Sequence, residues 1–286
     1  MVAAEGTRVE ERFISVDGAR VHFQVAGTGE PLLLLHGLIG SGQSWRQNIG
    51  FLAQHATVYA VDLFNMGRSE RVTGLDAGLE ATADRVAALM DALQLAKADI
   101  AAHSHGGAIA MMLAARHPQK ARKLILFAPA NPFCSSRDHV IRFFHTAPGK
   151  WLGRRVPSLP RSLHATALAR MYGDPSRVAE GTLETYTDGL GIPGTMDHVL
   201  RILGGWFEDM KKLHAALARL AEKPTLLIWG DRDRAVNLTS ARRLQDTLAQ
   251  SELLILPGAG HLAFEEMPEM CNLLMRDWLL GSAEAQ

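Results

Sequence analysis

The hexapeptide at 102–107, Ala-His-Ser-His-Gly-Gly, joins a short apolar segment directly to a helical pattern, and this sharp connection constrains the fold more than any other stretch. Such a turn forces its corner residue, Ser104, into strained backbone angles and requires small residues two positions before and after it. Ala102 and Gly106 occupy those positions. The sequence therefore predicts a strand, a tight turn and a helix, with the Ser104 hydroxyl presented at the corner. For the pentapeptide alone, a glycine-rich helix start with an incidental serine is the alternative.

Apolar runs alternate with helical patterns along most of the chain. The runs are continuous, as in strands that are buried on both faces, and they lie at 31–35, 56–63, 99–102, 123–128, 224–229 and 252–256. Helices are predicted between them at about 45–54, 80–95, 108–116 and 240–250, with a last helix at 268–280. Asp17-Gly18, a hairpin turn pair, indicates two antiparallel strands before this series. We therefore predict an α/β fold with a mostly parallel central sheet flanked by helices.

The alternation stops between residues 131 and 222. Prolines and helical patterns replace the strand runs there, and Asp174-Pro175 is typical of a helix start. The sequence thus predicts a core formed by 1–130 and 223–286, with a helical cap inserted at 131–222. Aromatic residues of the cap could line an apolar pocket over the sheet, although core packing is the commoner role for each of them. The pocket candidates in this segment are Phe133, Phe144 and Trp206.

Charge and composition narrow the range of partners. The 286-residue chain carries 30 basic and 30 acidic residues, a balance that gives no electrostatic reason to expect nucleic acid or an anionic membrane as a partner. Its two cysteines indicate neither a disulfide framework nor a zinc site. The N-terminus lacks the apolar segment of a signal peptide, and no run of 18 apolar residues occurs. We expect a soluble, cytoplasmic protein, whose oligomeric state the sequence leaves open.

Three residues with complementary chemistry follow predicted parallel strands. Ser104, Asp233 and His261 each lie just beyond a strand end, and such ends meet at one edge of a sheet. A serine hydroxyl is a weak nucleophile until an imidazole takes its proton, and a carboxylate must orient that imidazole. Each residue alone has a structural alternative, such as turn formation by the Gly-Asp-x-Asp stretch. Together, in the order Ser, Asp, His, they predict a catalytic triad.

Over about residues 10 to 280 the chain resembles the cap-bearing members of the α/β-hydrolase superfamily. The matching stretches are 36–37, 62–69, 102–107, 229–233 and 260–262. One departure is Phe64-Asn65, where the superfamily more often has a proline and a glycine; it touches no catalytic role. The other is Ala102, where the superfamily more often has glycine.

This resemblance implies a role for each site residue. Ser104 is implied as the nucleophile, His261 as general base and then acid, and Asp233 as the orienting carboxylate. The backbone N–H groups of Leu38 and His105 are implied as the oxyanion hole. No cofactor is expected. His103 and His105 do not predict a metal site, because adjacent side chains at such a turn have opposite orientations and a metal needs three or more convergent ligands. Further tentative pocket residues are His36, His103 and Leu262.

The nucleophile limits the functions that the resemblance allows. Dehalogenase-like and epoxide hydrolase-like members use aspartate at the corner, so Ser104 argues against both. We rank first a serine esterase acting on small or medium apolar carboxylic esters. A hydrolase that cleaves carbon–carbon bonds in diketone-like ring-fission products comes second, because such members often have asparagine where His103 stands and an aromatic residue where Leu262 stands. A cofactor-free peroxidase-like enzyme also remains, and a ligand receptor built on the fold is last.

Overall fold

A computed structural model describes residues 8–135 and 138–281. Its single sheet has eight strands in the order β1-β2-β4-β3-β5-β6-β7-β8. The strands are β1 Glu10–Val16, β2 Ala19–Ala26, β3 Pro31–Leu35, β4 Thr57–Val61, β5 Ala98–His103, β6 Ala121–Phe127, β7 Thr225–Gly230 and β8 Ser251–Leu256. Strands β3 to β8 pair in parallel, and β1 and β2 are antiparallel at one side. The predicted α/β fold with a mostly parallel sheet is therefore confirmed.

The first turn is the predicted hairpin. Val16 pairs with Ala19 across it, and the two residues between them both have positive φ, 50° for Asp17 and 78° for Gly18. These signs are those of a two-residue hairpin turn whose twist matches the twist of the strands.

Helices cover both faces of the sheet and enclose an apolar core on each side. Their bounds are α1 Ile49–Leu52, α2 Leu79–Ala92, α3 His105–Arg116, α4 Asp138–His145, α5 Ala147–Arg155, α6 Arg161–Ala169, α7 Thr182–Thr187, α8 Thr195–Ala216, α9 Leu238–Thr247, α10 Ala263–Glu266 and α11 Pro268–Leu280. Within these described ranges, no helix is both long enough and apolar enough to cross a membrane.

The helix expected at about 45–54 is shorter than predicted. A 3₁₀ turn, Gly42–Trp45, is followed after three residues, the last of which is Asn48, by the four-residue α1. The side-chain amide of Asn48 donates to the carbonyl of Phe264 and to the side chain of Asn272. These contacts with the C-terminal part of the chain interrupt the helix, and no local pattern could have revealed them.

Between β6 and β7 the described residues form helices and turns, as expected of a helical insertion. The limits assigned to it, 131 and 222, remain predictions. Helix α8 begins earlier than the pattern around 209–221 suggested, and it runs unbroken for 22 residues. Its Leu213 belongs, with α2 and α3, to the core cluster on one face of the sheet. The C-terminal part of the insertion thus packs as part of the core.

Candidate active site

Ser104 lies at the corner between β5 and α3 with φ 52° and ψ −119°. A residue other than glycine rarely adopts positive φ, and the strain is kept only where surrounding structure enforces it. Here the enforcement comes from Gly106. A Cβ on Gly106 would lie 2.4 Å from the carbonyl oxygen of His36, so only glycine lets the turn pack this close to the end of β3. The Ser104 side chain is thereby held at the surface of a cavity.

Asp233 and His261 meet through a hydrogen bond of 2.8 Å between Oδ2 of the carboxylate and Nδ1 of the imidazole. The other carboxylate oxygen accepts from the backbone N–H groups of Ala235 and Val236, at 2.7 and 2.9 Å. A carboxylate can only accept, so Nδ1 carries the proton and Nε2 is left to act as a base. His261 lines the same cavity as Ser104.

The neighbouring Asp231 has a different environment. It is exposed, and its Oδ1 accepts a 2.7 Å hydrogen bond from the backbone N–H of Gly258. This contact braces the turn after β8 and leaves the carboxylate outside the site. Of the two aspartates, the structure brings Asp233 to His261.

The loop after β3 lies against the corner serine. A Cβ on Gly37 would lie 2.8 Å from Nδ1 of His103 and 3.3 Å from Cβ of Ser104, and the next residue, Leu38, lines the cavity. His105 begins α3, where backbone N–H groups have no partner inside the helix. Leu38 and His105, the two residues whose N–H groups were predicted to form an oxyanion hole, thus lie in the segments that adjoin Ser104, and that role stays a prediction.

The His105 side chain plays no part in that arrangement. It is buried, and its ring lies 6.1 Å from the ring of Trp206 at an interplanar angle of 28°. Burial, with smaller contributions from His198 and His36, lowers the pKa of His105 to about 3. The imidazole is therefore neutral at physiological pH and acts as a packing group beneath the corner.

His36 was predicted as a pocket residue, but the structure buries it beneath the loop. Its Nε2 accepts from the backbone N–H of Leu63 at 2.9 Å, so its Nδ1 must donate to the carbonyl of Gly37 at 2.7 Å. Burial lowers the pKa of His36, which keeps this neutral tautomer in place. The role of His36 is to shape the loop that carries Leu38.

His103 does line the cavity, as predicted, and it also supports the loop that carries His261. Its Nε2 lies 3.1 Å from the carbonyl oxygen of His261, and the two rings are 4.6 Å apart. Burial holds the pKa of His103 well below its usual range. A neutral imidazole that donates to this carbonyl fixes the backbone at His261.

The cavity has a volume of about 350 Å³ and lies between the core and the helical insertion. Core residues that line it are Gly37, Leu38, Ile39, Gly40, His103, Ser104, Ala235, His261 and Leu262, and those of the insertion are Val156, His164, Ala167, Leu168, Met171, Leu183, Tyr186, Thr187 and Leu190. Among the described residues, none of the lining side chains belongs to Lys, Arg, Asp or Glu. The cavity is therefore apolar except for histidines and a few hydroxyl groups.

Three predicted pocket residues lie elsewhere. Phe133 and Trp206 line a separate depression, where the Phe133 ring packs edge-on against His214. Phe144 packs edge-on against Phe143 within α4. The reason is that α4 and α8 lie on the α3 side of the site, whereas α6 and α7 cover the Ser104 cavity, and an aromatic pattern does not reveal on which side a helix packs.

Two adjacent carboxylates, which sequence reasoning missed, connect the insertion to the loop that carries His261. Glu266 is buried and accepts from the backbone N–H groups of Gly260, Gly173 and Asp174 at 2.7, 3.0 and 2.8 Å. His261 adds a backbone bond of 2.7 Å to the carbonyl of Met171. Gly260, the residue that precedes His261, is thus tied to the insertion by the buried side chain of Glu266.

Glu265 makes the second connection. Its carboxylate accepts from the guanidinium of Arg46 at 2.7 Å and from the hydroxyl of the cavity residue Tyr186. Burial raises the pKa of Glu265, although Arg46 and Tyr186 favour the charged form. The available clue to both residues was an acidic pair, Glu265-Glu266, embedded in an apolar stretch directly after His261.

Comparison with known proteins agrees with this geometry. A family model described as the alpha/beta hydrolase fold matches residues 30–268. The chain belongs to the α/β-hydrolase family. The family supports hydrolase chemistry for this chain, as expected from the sequence. Within the described residues, no group of three or more His, Cys, Asp or Glu side chains is arranged to hold a metal ion.

Relatives within the α/β-hydrolase family differ in what they are named for. A 2-hydroxymuconate semialdehyde hydrolase from Pseudomonas sp. (strain CF600) is 27% identical over 274 residues, which cover 94% of this chain and 93% of the relative. The dihydrolipoyllysine-residue acetyltransferase component of the acetoin cleaving system from Pseudomonas putida is 30% identical over 260 residues. That match covers 90% of this chain but only 65% of the relative's length. The epoxide hydrolase CorEH superimposes with a TM-score of 0.85 at 22% identity, covering 96% and 99% of the two chains, and shows the fold alone.

Proposed function

We propose that the protein is a serine hydrolase that cleaves small or medium apolar carboxylic esters through an acyl-enzyme intermediate. The observation that carries the proposal is that His261, hydrogen-bonded to Asp233 from behind, lines the same apolar cavity as Ser104. A cavity of about 350 Å³ is within the range of small-molecule sites and encloses a short chain well.

The proposed reaction has two halves. In the first, Oγ of Ser104 attacks the ester carbonyl while Nε2 of His261 takes the serine proton. The negative charge that develops on the carbonyl oxygen is stabilised by the N–H groups of Leu38 and His105. Collapse of this intermediate breaks the bond to the alkoxy oxygen, which receives the proton from His261, and leaves an acyl group on Ser104.

In the second half, His261 removes a proton from a water molecule as that water attacks the acyl carbonyl. The acid leaves and Ser104 recovers its proton from His261. Asp233 keeps the histidine in the required tautomer and stabilises its protonated form throughout. Losing one oxyanion donor in such a site typically costs about 2.7 to 4 kcal/mol of transition-state stabilisation.

The second candidate is carbon–carbon bond cleavage, which several relatives favour. Their names include 2-hydroxymuconate semialdehyde hydrolase and 2-hydroxy-6-oxo-2,4-heptadienoate hydrolase, and the latter substrate carries a carboxylate. A buried carboxylate needs a cation or several hydrogen-bond donors to offset the loss of water. Because the described lining of the cavity offers no Lys or Arg, a neutral ester suits this site better.

The test is a substrate series measured on the purified enzyme. We expect kcat/KM for aryl esters to rise by about fourfold for each added methylene, corresponding to about 0.8 kcal/mol, and to fall once the cavity is full. A profile that is flat or still rising at the longest chain would contradict an enclosed acyl site. A vinylogous diketone carboxylate turned over faster than any ester would favour the second candidate. A protein inactive on both, and not labelled by a serine-directed phosphonate, would be a receptor.

A further inference from the structure

Helix α5 packs against the rest of the insertion through a face that is formed by glycines. The buried residues of α5 are Gly149 and Gly153, one helical turn apart. A Cβ on Gly153 would lie 2.7 Å from Cδ2 of Leu200 in α8, so the helix lies directly against its neighbour through glycine. This is the reverse of an ordinary surface helix, which buries its large apolar residues.

The large residues of α5 point to solvent. Trp151 is two positions from each glycine, about 200° around the helix, and therefore lies on the opposite face. It is 59% exposed, and the neighbouring Leu152 is 39% exposed. The guanidinium of Arg155 lies 5.0 Å from the centre of the Trp151 ring. Trp151 and Leu152 thus form an adjoining exposed apolar pair with a cation beside it, and exposed apolar patches rimmed by polar groups mark interaction sites.

Basic residues surround this tryptophan. Between 138 and 170 the sequence has six Lys and Arg residues and one Asp, in a chain whose net charge is zero. Asp197 pairs with Arg154, and Glu184 pairs with Arg161. Among the described residues, no carboxylate forms an ion pair with Lys150 or Arg155. The surface is therefore locally cationic even after its own ion pairs are counted.

Exposed apolar residues on the adjoining helices accompany the tryptophan. Phe143 of α4 is 42% exposed, and its backbone adjoins Gly149 at the start of α5. Leu163 of α6 is 52% exposed. The cap thus displays aromatic and aliphatic side chains among cations, which is the composition of surfaces that lie in the headgroup region of a bilayer.

We propose that the α5 face, defined as Lys150, Trp151, Leu152, Arg154 and Arg155, binds the surface of an anionic phospholipid membrane. Trp151 and Leu152 enter the boundary between headgroups and acyl chains, and the basic residues neutralise lipid phosphate or carboxylate groups. Charge complementarity selects an anionic lipid surface, because a large neutral protein interface would be depleted of lysine at its centre.

The same segment reaches the Ser104 cavity. Val156, which directly follows α5, and His164 of α6 both line it. Binding through the α5 face would hold the cavity close to the lipid bilayer, in which apolar esters dissolve. Membrane binding does not itself require catalysis, so it can be tested separately from the proposed esterase activity.

The test is co-sedimentation of the full-length Ser104→Ala protein with vesicles. One set contains equal parts of phosphatidylserine and phosphatidylcholine, and the other contains phosphatidylcholine alone. We expect binding to the anionic vesicles only, with a partition coefficient that falls as salt is added. Since each basic residue near such a surface contributes about fivefold, Lys150→Gln with Arg155→Gln should weaken binding by about 25-fold. Trp151→Ala should also weaken it, by about tenfold or more.

The matched control is Lys97→Gln with Arg242→Gln, the same change of charge at exposed positions away from α5. It should bind vesicles as the parent does. Absence of binding to anionic vesicles, or equal losses in the control and in the α5 variants, would overturn the proposal. So would self-association without lipid that Trp151→Ala abolishes, because the face would then be an interface between two copies of the chain. Circular dichroism of each variant shows whether folding is retained, and if Trp151→Ala unfolds, Trp151→Gln replaces it.

Discussion

The Ser104 cavity has two walls, which are held in different ways. The core wall is formed by residues 37–40, 103–104, 235 and 261–262, and the cap wall by lining residues between 156 and 190. On the core wall, Asp233 and His261 are held by hydrogen bonds that involve backbone atoms: the Asp233 carboxylate accepts from two N–H groups, and the carbonyl of His261 accepts from the His103 ring. On the cap wall, side chains such as Leu168 and Leu183 hold their places by apolar packing. Directional bonds fix atoms to tenths of an ångström, whereas packing fixes a volume and tolerates exchange. We therefore expect the core wall to determine the chemistry of this protein and the cap wall to determine which substrate shapes fit.

The largest effect should follow from Ser104 itself. Ser104→Gly removes the nucleophile and also relieves the positive φ of 52°. We expect kcat for aryl esters to fall by at least about 10⁴-fold. The free energy of unfolding should rise by about 1 kcal/mol, because glycine accepts this backbone conformation without strain.

Ser104→Ala is the control for that experiment. It should be equally inactive, but it keeps the strain and should not gain stability. A Ser104→Gly protein no more stable than Ser104→Ala would show that the corner stores no strain. An active Ser104→Ala enzyme would remove the serine from the mechanism.

The next effect separates two aspartates on the core wall. Asp233→Asn leaves a side chain of the same shape that can present the wrong group to Nδ1 of His261, so we expect kcat to fall by about 10³- to 10⁴-fold. Asp231→Asn alters only the brace to Gly258, and turnover should change less than about threefold. Steady-state kinetics on one ester checks both. If Asp231→Asn were the more damaged enzyme, the carboxylate would have been assigned to the wrong residue.

A smaller effect tests the junction between the walls. In Glu266→Gln, one oxygen that faces backbone N–H groups becomes an amide donor, and a buried donor opposite a donor costs about 1 to 3 kcal/mol. Displacement of the Gly260-His261 segment should lower kcat/KM by about 10- to 100-fold. Glu269→Gln, in an exposed position of α11, is the matched control and should behave as the parent. Equal activity of the two variants would show that Glu266 does not position the histidine.

The sequence predicted the core wall well because its determinants are local. The corner at Ser104 needs small neighbours that can be read within five residues, and each reactive residue follows a strand that is recognisable by itself. The choice of Asp233 over Asp231 rested on the resemblance alone; the N–H groups of Ala235 and Val236 that hold the Asp233 carboxylate are seen only in the structure.

The cap wall was predicted only in outline. Helices were expected from 131 to 222 and occur there, but Phe133, Phe144 and Trp206 lie away from the cavity. Which helix covers the site depends on contacts between distant residues, such as those of Glu265 with Arg46 and Tyr186. A pattern within one helix gives its amphipathic face but not the neighbour against which that face packs.

Acid stability offers a further contrast between the two regions. Burial lowers the pKa of His105, in the core, to about 3 and that of His198, in the cap, to about 4. In the folded protein both imidazoles stay neutral down to these pKa values, whereas in the unfolded chain they bind protons below about pH 6.5. Their contribution to the free energy of unfolding is therefore complete above about pH 6.5 and is lost as the pH falls toward 3 to 4. Each histidine should contribute up to about 1.4 kcal/mol per pH unit. Urea unfolding of His198→Asn between pH 7.5 and 4.5 should show a shallower loss of unfolding free energy with falling pH than the parent. An unchanged slope in His198→Asn would mean that His198 is not buried in the neutral form.

The smallest effect should be a change of substrate preference made on the cap wall alone. Leu168→Phe adds volume inside the cavity, so the preferred ester should become shorter by about two carbons, with a loss of about fourfold in kcat/KM for each methylene that no longer fits. Turnover of the shortest ester should stay within about threefold of the parent, because the core wall is untouched. Leu163→Phe, at an exposed position of the same helix, and Phe133→Leu, in the separate depression, should both keep the parental profile. Kinetics over a series of aryl esters checks all three. If Phe133→Leu shifted the preferred chain length and Leu168→Phe did not, the acyl chain would extend toward α8 rather than α6. The part of the cap that selects the substrate would then be α8 and its neighbours, and not the helices that line the Ser104 cavity.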